Sequence, residues 1–377
     1  MKIGLYIHIP FCQKKCLYCD FPSHANLAHL YQPYVAALCR EISGLGGVLS
    51  GDIVDTIYIG GGTPTVLSGN CLSQLLQQVH TSFSIDKTAE ISIEANPGTI
   101  DQDKLLVLKT AGVNRISFGV QTFHDSLLVG IGRIHSAAQG IESIKMAKRT
   151  GFNNINVDLM YGLPGQTTEQ LRASILQAIE LDVTHISAYG LKVEDGTPFA
   201  RMQEEGRLQL PDEEIDEAMY DLTTHLLPQK GFARYEISNF ARAGYECRHN
   251  LKYWQYQPYL GVGAAAHSFL HDQRRSNMAD VVTYIDTMAQ GLSPTIVGEK
   301  LGPSSVMAEY IFLALRTVEG MSVEKFNHYF NEDFATCYGD IIEMLRSKGL
   351  IIFTDNKIFL TEIGMKYGNV VFRAFLP

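Results

Sequence analysis

Strand-like and helix-like stretches alternate six times through the first half of this 377-residue chain, and that alternation limits the fold more than any other feature. Apolar, β-rich runs span 4–9, 55–61, 89–95, 115–121, 155–161 and 185–191. Between them, amphipathic runs of helical period span 33–42, 71–83, 101–111, 137–150 and 168–180. Gly112 and Gly151 stand where a glycine closes a helix, and Thr167 with Gln170 reads as a capping box. Strands joined through helices by short loops form parallel βαβ units. The pattern fits an open doubly wound sheet or a curved part-barrel. In both, chemistry gathers at the C-terminal ends of the strands.

Beyond 191 the pattern changes. A turn-rich link over 193–198 precedes a helix over 212–227, with Pro211 at its start, and a strand over 234–240. Residues 248–268 are rich in aromatics and then in glycine. From about 304 the chain reads as a separate module: helices over 306–316, 323–330 and 340–348, then a hairpin of 350–354 and 357–361 over Asp355-Asn356. Helices followed by a two-stranded wing predict a winged-helix-like unit. The expected division is a core over 1–240, a linking region over 241–300 and a C-terminal module over 301–377.

A net charge of −9 argues against a nucleic-acid backbone as the main partner. No apolar run approaches the roughly 18 residues of a membrane span. No secretion signal is visible at the N-terminus, so a cytoplasmic location is expected.

Of the seven cysteines, three fall in Cys12-x3-Cys16-x2-Cys19. An odd, clustered set is a poor disulfide framework and reads as metal ligands. Three thiolates on one loop can hold three irons of a cubane and leave the fourth iron open to a ligand. The plainer reading is a structural zinc, its fourth ligand drawn from His8 or His24. Cys39, Cys71 and Cys337 read as packing residues.

The second strand runs into Gly60-Gly61-Gly62-Thr63-Pro64, where glycine lets backbone approach a ligand closely. Polar residues stand at later strand ends: Glu94, Gln121 and Asp158, with Arg133 in the segment after the fourth strand. Glu94 and Asp158 can accept hydrogen bonds from a ligand, and Arg133 can pair an anion. Any one of the acids taken alone could simply cap the next helix. Further on, His249-Asn250-Leu251-Lys252-Tyr253-Trp254 holds the only tryptophan. His249 can offer an imidazole to a metal, with Tyr253 and Trp254 as flanking aromatic faces. A histidine among aromatics is more often a packing residue, and Cys247 is a competing soft ligand.

CxxxCxxC with Tyr18 before its last cysteine, followed by a GGGTP strand end, resembles the radical SAM superfamily. The HNxxYW stretch is similar to the haem-binding motif of HemW-type proteins, so the closer resemblance is to the HemN/HemW branch. It covers about the first 270 residues well and the C-terminal module more loosely. The resemblance implies an α/β fold, a radical SAM partial (β/α)6 TIM-like barrel with a smaller C-terminal helical or winged-helix-like module. It implies a [4Fe-4S] cluster on Cys12, Cys16 and Cys19 whose open iron binds S-adenosylmethionine (SAM). It implies that Tyr6 and Tyr18 pack near SAM, that Gly61, Gly62, Thr63, Glu94, Gln121, Arg133 and Asp158 contact it, and that His249 serves haem.

Two departures separate the branches. The dehydrogenase branch has a fourth cysteine two residues after the triad, where this chain has Phe21, and a long segment before the first strand. The implied function is therefore that of a haem chaperone delivering haem to haemoproteins such as respiratory enzymes, with peripheral contact at membrane-embedded targets. The alternatives are an oxygen-independent coproporphyrinogen III dehydrogenase and a methyltransferase using two SAM molecules.

Overall fold

The computed structural model describes residues 1–47, 49, 51–298, 301–354 and 356–377. Its six leading strands are Lys2–Ile9 (β1), Ile53–Gly61 (β2), Ile85–Ala95 (β3), Arg115–Gln121 (β4), Asn154–Tyr161 (β5) and His185–Gly190 (β6). Each pairs in parallel with the next. Sheet order equals chain order, so there is no point at which the winding reverses. Right-handed crossovers then put every connecting helix on one face. That decides for the part-barrel over the doubly wound sheet. The connecting helices are Tyr31–Leu45 (α1), Gly69–Ser82 (α2), Gln102–Thr110 (α3), Asp125–Gly130 (α4), Ala137–Arg149 (α5) and Thr168–Glu180 (α6).

Six shorter strands extend both edges: Ala233–Arg234 (β7), Asn239–Ala241 (β8), Tyr259–Val262 (β9), His267–Leu270 (β10), Gln273–Asn277 (β11) and Thr295–Val297 (β12). The order among the described residues is β12-β11-β10-β9-β1-β2-β3-β4-β5-β6-β8-β7. The two end strands do not pair, so the barrel stays open.

The strand period of two explains the interior. Apolar positions of one parity face out: Leu5, Ile7, Ile57, Ile59, Ile91, Ile93, Ile116, Phe118, Val157 and Leu159 pack against Leu38, Leu72, Leu75, Leu105, Ile144 and Ile175 of the helices. The alternate positions are polar, among them Ser92, Glu94, Ser117, Asn156, Asp158 and Ser187. Parallel strands buried on both faces usually read as unbroken apolar runs. Here polar side chains interrupt each run, and they line the inside of the curve.

The strand expected over 234–240 is instead the hairpin of β7 and β8. The Glu236 carboxylate accepts from Ser238 N at 2.8 Å and turns the chain back on itself. The third strand begins at Ile85, ahead of the expected 89. The C-terminal part has helices Pro303–Leu315, Val323–Phe330 and Phe334–Ser347, and strands Ile351–Phe353 and Lys357–Leu360 joined by Met321–Ser322. Asp355, in the expected hairpin turn, and the boundary at 300 lie outside the described residues. Two short helices, Glu362–Lys366 and Gly368–Ala374, complete a separate apolar core around Leu315, Phe326, Phe334, Leu345, Ile358 and Val371.

Candidate functional site

One cavity of about 470 Å³ opens at the C-terminal ends of the parallel strands. Side chains from β2 through β6 reach it together, which requires the sheet to curl around it. The three cysteines stand at its mouth. Their loop is pinned by backbone: Phe11-Cys12 pairs with His24-Ala25, Leu17 N donates to Ile131 O at 3.1 Å, and Cys19 N to Cys16 O at 3.3 Å.

The glycine run fits against this loop. Thr63 N donates to Phe11 O at 2.7 Å. A Cβ at Gly62 would lie 2.5 Å from Phe11 O and 3.0 Å from the Cys12 sulfur. Gly61 has φ +117°, and its Cβ would meet the His8 ring at 2.6 Å. Only glycine tolerates both demands.

The Thr63 hydroxyl lies 3.6 Å from the Cys12 sulfur, and Arg133 Nη1 lies 3.5 Å from that of Cys16. Donors aimed at sulfur suit thiolates. Among the described residues, no three His, Cys, Asp or Glu side chains are gathered around a single ion position. His8 has both ring nitrogens engaged, by the Tyr6 hydroxyl at 3.0 Å and Pro22 O at 2.9 Å. A mononuclear zinc needs four converging donors; thiolates at the corners of a cubane need not converge so closely. The donor set therefore fits a cluster better than zinc.

Deeper in, Glu94 is held by Tyr58 OH at 2.9 Å and Gly61 N at 3.1 Å. Burial, then the nearby Asp158 charge, push its carboxyl up to about 7. Asp158 accepts from Ser117 Oγ at 3.2 Å and Asn156 Nδ2 at 2.7 Å, and burial raises it too. Gln121 sits at φ +68° just past a bulge in the pairing of β4 with β5. Such strain in a non-glycine residue gathers at ligand sites. Arg133 Nη2 donates to Asn96 Oδ1 at 2.7 Å, while its buried Nε has no partner.

Cys12, Cys16, Cys19, Tyr18, Gly61, Gly62, Thr63, Glu94, Gln121, Arg133 and Asp158 thus line one cavity. Tyr6 and His249 do not. Both lie beneath it, where the short helix Arg248–Trp254 plugs the barrel's lower end. His249 is fully buried. Its Nδ1 is 2.9 Å from Thr56 Oγ1, and its Nε2 is 2.9 Å from Tyr253 OH. Its ring stacks on Tyr58 at 5.4 Å, and burial pushes its pKa down to about 3. Glu90 caps this helix, accepting from Arg248 N and His249 N, each at 3.1 Å. Trp254 lies under the Arg316 guanidinium at 4.4 Å, a contact with the C-terminal helices.

The cavity also contains Tyr58, Arg115, Asn156, Asn239 and Asn250, which sequence reasoning did not single out. The available signal was the inward strand position. Tyr58, Arg115 and Asn156 fall in step with Glu94 and Asp158 on the period of two. Asn250 and Asn239 arrive from segments outside the six βα units and carry no such signal.

A profile of the radical SAM superfamily matches residues 6–178, and one of the HemN C-terminal domain matches residues 303–366. The chain is 40% identical over 372 residues to the protein named Heme chaperone HemW of Bacillus subtilis (strain 168), covering 98% of each. It is 38% identical over 371 residues to that of Lactococcus lactis subsp. lactis (strain IL1403), covering 98% of this chain and 96% of the relative. Among solved structures, coproporphyrinogen III oxidase (HemN) from Escherichia coli, described as a radical SAM enzyme, superposes with a TM-score of 0.87 at 24% identity, covering 99% of this chain and 89% of that one. No helix among the described residues is long and apolar enough to cross a membrane.

Proposed function

Because the chain belongs to the radical SAM superfamily, in its HemN/HemW branch, we propose that it is a haem chaperone: it binds haem together with a SAM-ligated [4Fe-4S] cluster and hands haem to acceptor haemoproteins. One observation carries this reading: the helix bearing HNxxYW is the floor of the same cavity whose mouth carries the three cysteines. A haem motif lying directly beneath the cysteine-bearing cavity suits a protein that handles haem under the control of a second ligand. The free thiols suit work in a reducing compartment such as the cytoplasm. In this reading 1–240 hold cluster and SAM, 241–300 carry the haem motif, and 301–377 brace it through Arg316. Respiratory enzymes are the proposed acceptors, met at the membrane surface.

Cys12, Cys16 and Cys19 would hold the cluster, which when bound with SAM supplies one-electron chemistry. The protein's own share is binding and orientation. Gly61 and Gly62 admit the methionine end of SAM against backbone. Glu94 and Asp158 accept from its ammonium and ribose hydroxyls, and Arg133 pairs its carboxylate. Thr63 and Gln121 add polar contacts and Tyr18 packs around them, while Tyr6 supports the cavity wall from behind Tyr58.

Glu94 gives this binding a pH dependence. Its raised pKa leaves the carboxyl largely protonated below about 7. A cationic ligand prefers the ionised form, so SAM affinity should rise as pH climbs through that value and level off above it. Equilibrium dialysis of labelled SAM across this range checks it. Glu94→Gln should bind about tenfold more weakly at pH 8 and show a flat profile; an unchanged profile would take Glu94 out of the site.

For haem, His249 reaches iron only by releasing Tyr253 or Thr56. Anaerobically reconstituted protein should take up haem with a Soret band, and His249→Ala should shift that band and weaken uptake. An unchanged spectrum and affinity would remove His249 from the haem site. Repeated conversion of coproporphyrinogen propionates to vinyl groups by the same preparation would replace the chaperone reading with a dehydrogenase.

A further inference from the structure

The floor of the cavity holds a cation whose buried Nε has no hydrogen-bond partner. Arg115 opens β4 and points inward, only 2% exposed. Its Nε has no hydrogen-bond partner, and its guanidinium enters no ion pair among the described residues. Three acids lie near enough to act on its charge, yet each already has donors. Glu90 caps the Arg248–Trp254 helix. Glu94 is taken by Tyr58 and Gly61. Asp158 is taken by Ser117 and Asn156.

The surrounding acids offset the desolvation of its charge, yet guanidinium donors buried without an acceptor still carry a cost. The cost is relieved if the cavity brings the acceptor. Asn156, Ser187, Asn239 and Asn250 line the cavity with Arg115, alongside the already bonded Glu94 and Asp158. Asn239 Oδ1 is itself buried without a partner. Asn250 is the one residue of the HNxxYW stretch that lines the cavity, immediately beside His249.

We propose that Arg115 and Asn250 form a carboxylate subsite at the floor of the cavity, and that it receives a propionate arm of haem. The planar guanidinium matches a carboxylate in a forked, two-bond geometry, and the Asn250 amide adds a neutral donor. The assignment to haem rests on the proposed function, because the floor is built by the haem-motif helix. SAM also carries a carboxylate, but Arg133 at the mouth stands beside Cys16, where an iron-bound ligand would lie. The subsite recognises haem by its edge, independently of what ligates the iron.

The test compares haem with haem dimethyl ester, whose propionates are blocked, in Soret titrations of the cluster-reconstituted protein. Wild type should bind haem about tenfold tighter than the ester, the scale of a charge-assisted hydrogen bond. Arg115→Gln should close that gap without moving the Soret maximum, since the iron ligand is untouched. Asn250→Asp covers the case in which Arg115→Gln does not fold: it keeps the side-chain shape, sets a second negative charge against the propionate, and should close the same gap. SAM affinity is measured in parallel, and because Arg115 also acts on Glu94 and Asp158 it is the haem–ester gap that reads the subsite. Equal binding of haem and ester by wild type, or a gap that survives both substitutions, overturns the subsite and leaves the chaperone reading standing. Loss of SAM binding with the haem–ester gap intact overturns the assignment to haem. Failure of wild type to bind either porphyrin overturns the chaperone reading and the subsite together.

Discussion

Cys16→Ala is expected to leave a folded protein that no longer assembles a [4Fe-4S] cluster. Cys16 is half-buried in a loop held by backbone bonds on both sides, Leu17 N to Ile131 O and Phe199 N to Leu17 O. Neither bond needs the thiol, and the packing at this loop comes from Leu17 and Tyr18 against Leu127, Ile131, Met160, Leu163 and Phe199. Two remaining thiolates cannot hold three corners of a cubane, so the broad charge-transfer absorbance and most of the bound iron and sulfide should be lost after anaerobic reconstitution. SAM affinity should fall by at least about tenfold, because in the proposed function the cluster would hold SAM. Cys337→Ala, at an exposed cysteine of the C-terminal module, is the control and should change none of these. A Cys16→Ala protein with full iron and unchanged SAM binding would dissolve the reading of the triad.

The barrel was legible because two periods alternate cleanly. Ile57, Ile59, Ile91 and Ile93 on one strand face, and Leu72, Leu75 and Leu76 on one helix face, encode parallel βα units without help from distant residues. Winding direction was not legible, because a doubly wound sheet buries the same residues; only the observed order of pairing separates the two. The mouth of the site was legible for a related reason. Its residues come in short local runs, the cysteine loop and the glycine run, and each run carries its own geometric demand. The floor was not. His249 stands more than 150 residues along the chain from Thr56, Tyr58 and Glu90, the groups it meets. No local pattern says that an isolated seven-residue helix will close a barrel. The strand expected over 234–240 gives way to a hairpin for a local reason: the Glu236 carboxylate accepts from both Ser238 N and Asn239 Nδ2 and so holds the turn closed.

The seating of that plug predicts the largest stability effect. Lys252, 4% exposed, reaches Asp55, 6% exposed, at 2.8 Å, with a second bond from its ammonium to Gln257 Oε1 at 3.2 Å. A buried pair adds little over a well-packed apolar replacement, but removing one partner strands the other charge out of water. Lys252→Met should therefore destabilise the core by about 3–5 kcal/mol. The matched double variant Asp55→Leu/Lys252→Met should recover most of that loss, because no charge is left unpaired. Urea unfolding with tryptophan fluorescence reads both, since Trp254 lies two residues beyond Lys252 on the same helix. Asp55 joins β2 next to Thr56, which holds the His249 ring, so the single variant should also weaken haem uptake while the double restores it. A single variant that unfolds within about 1 kcal/mol of wild type would mean that water reaches the pair, and the barrel floor would not be sealed as described.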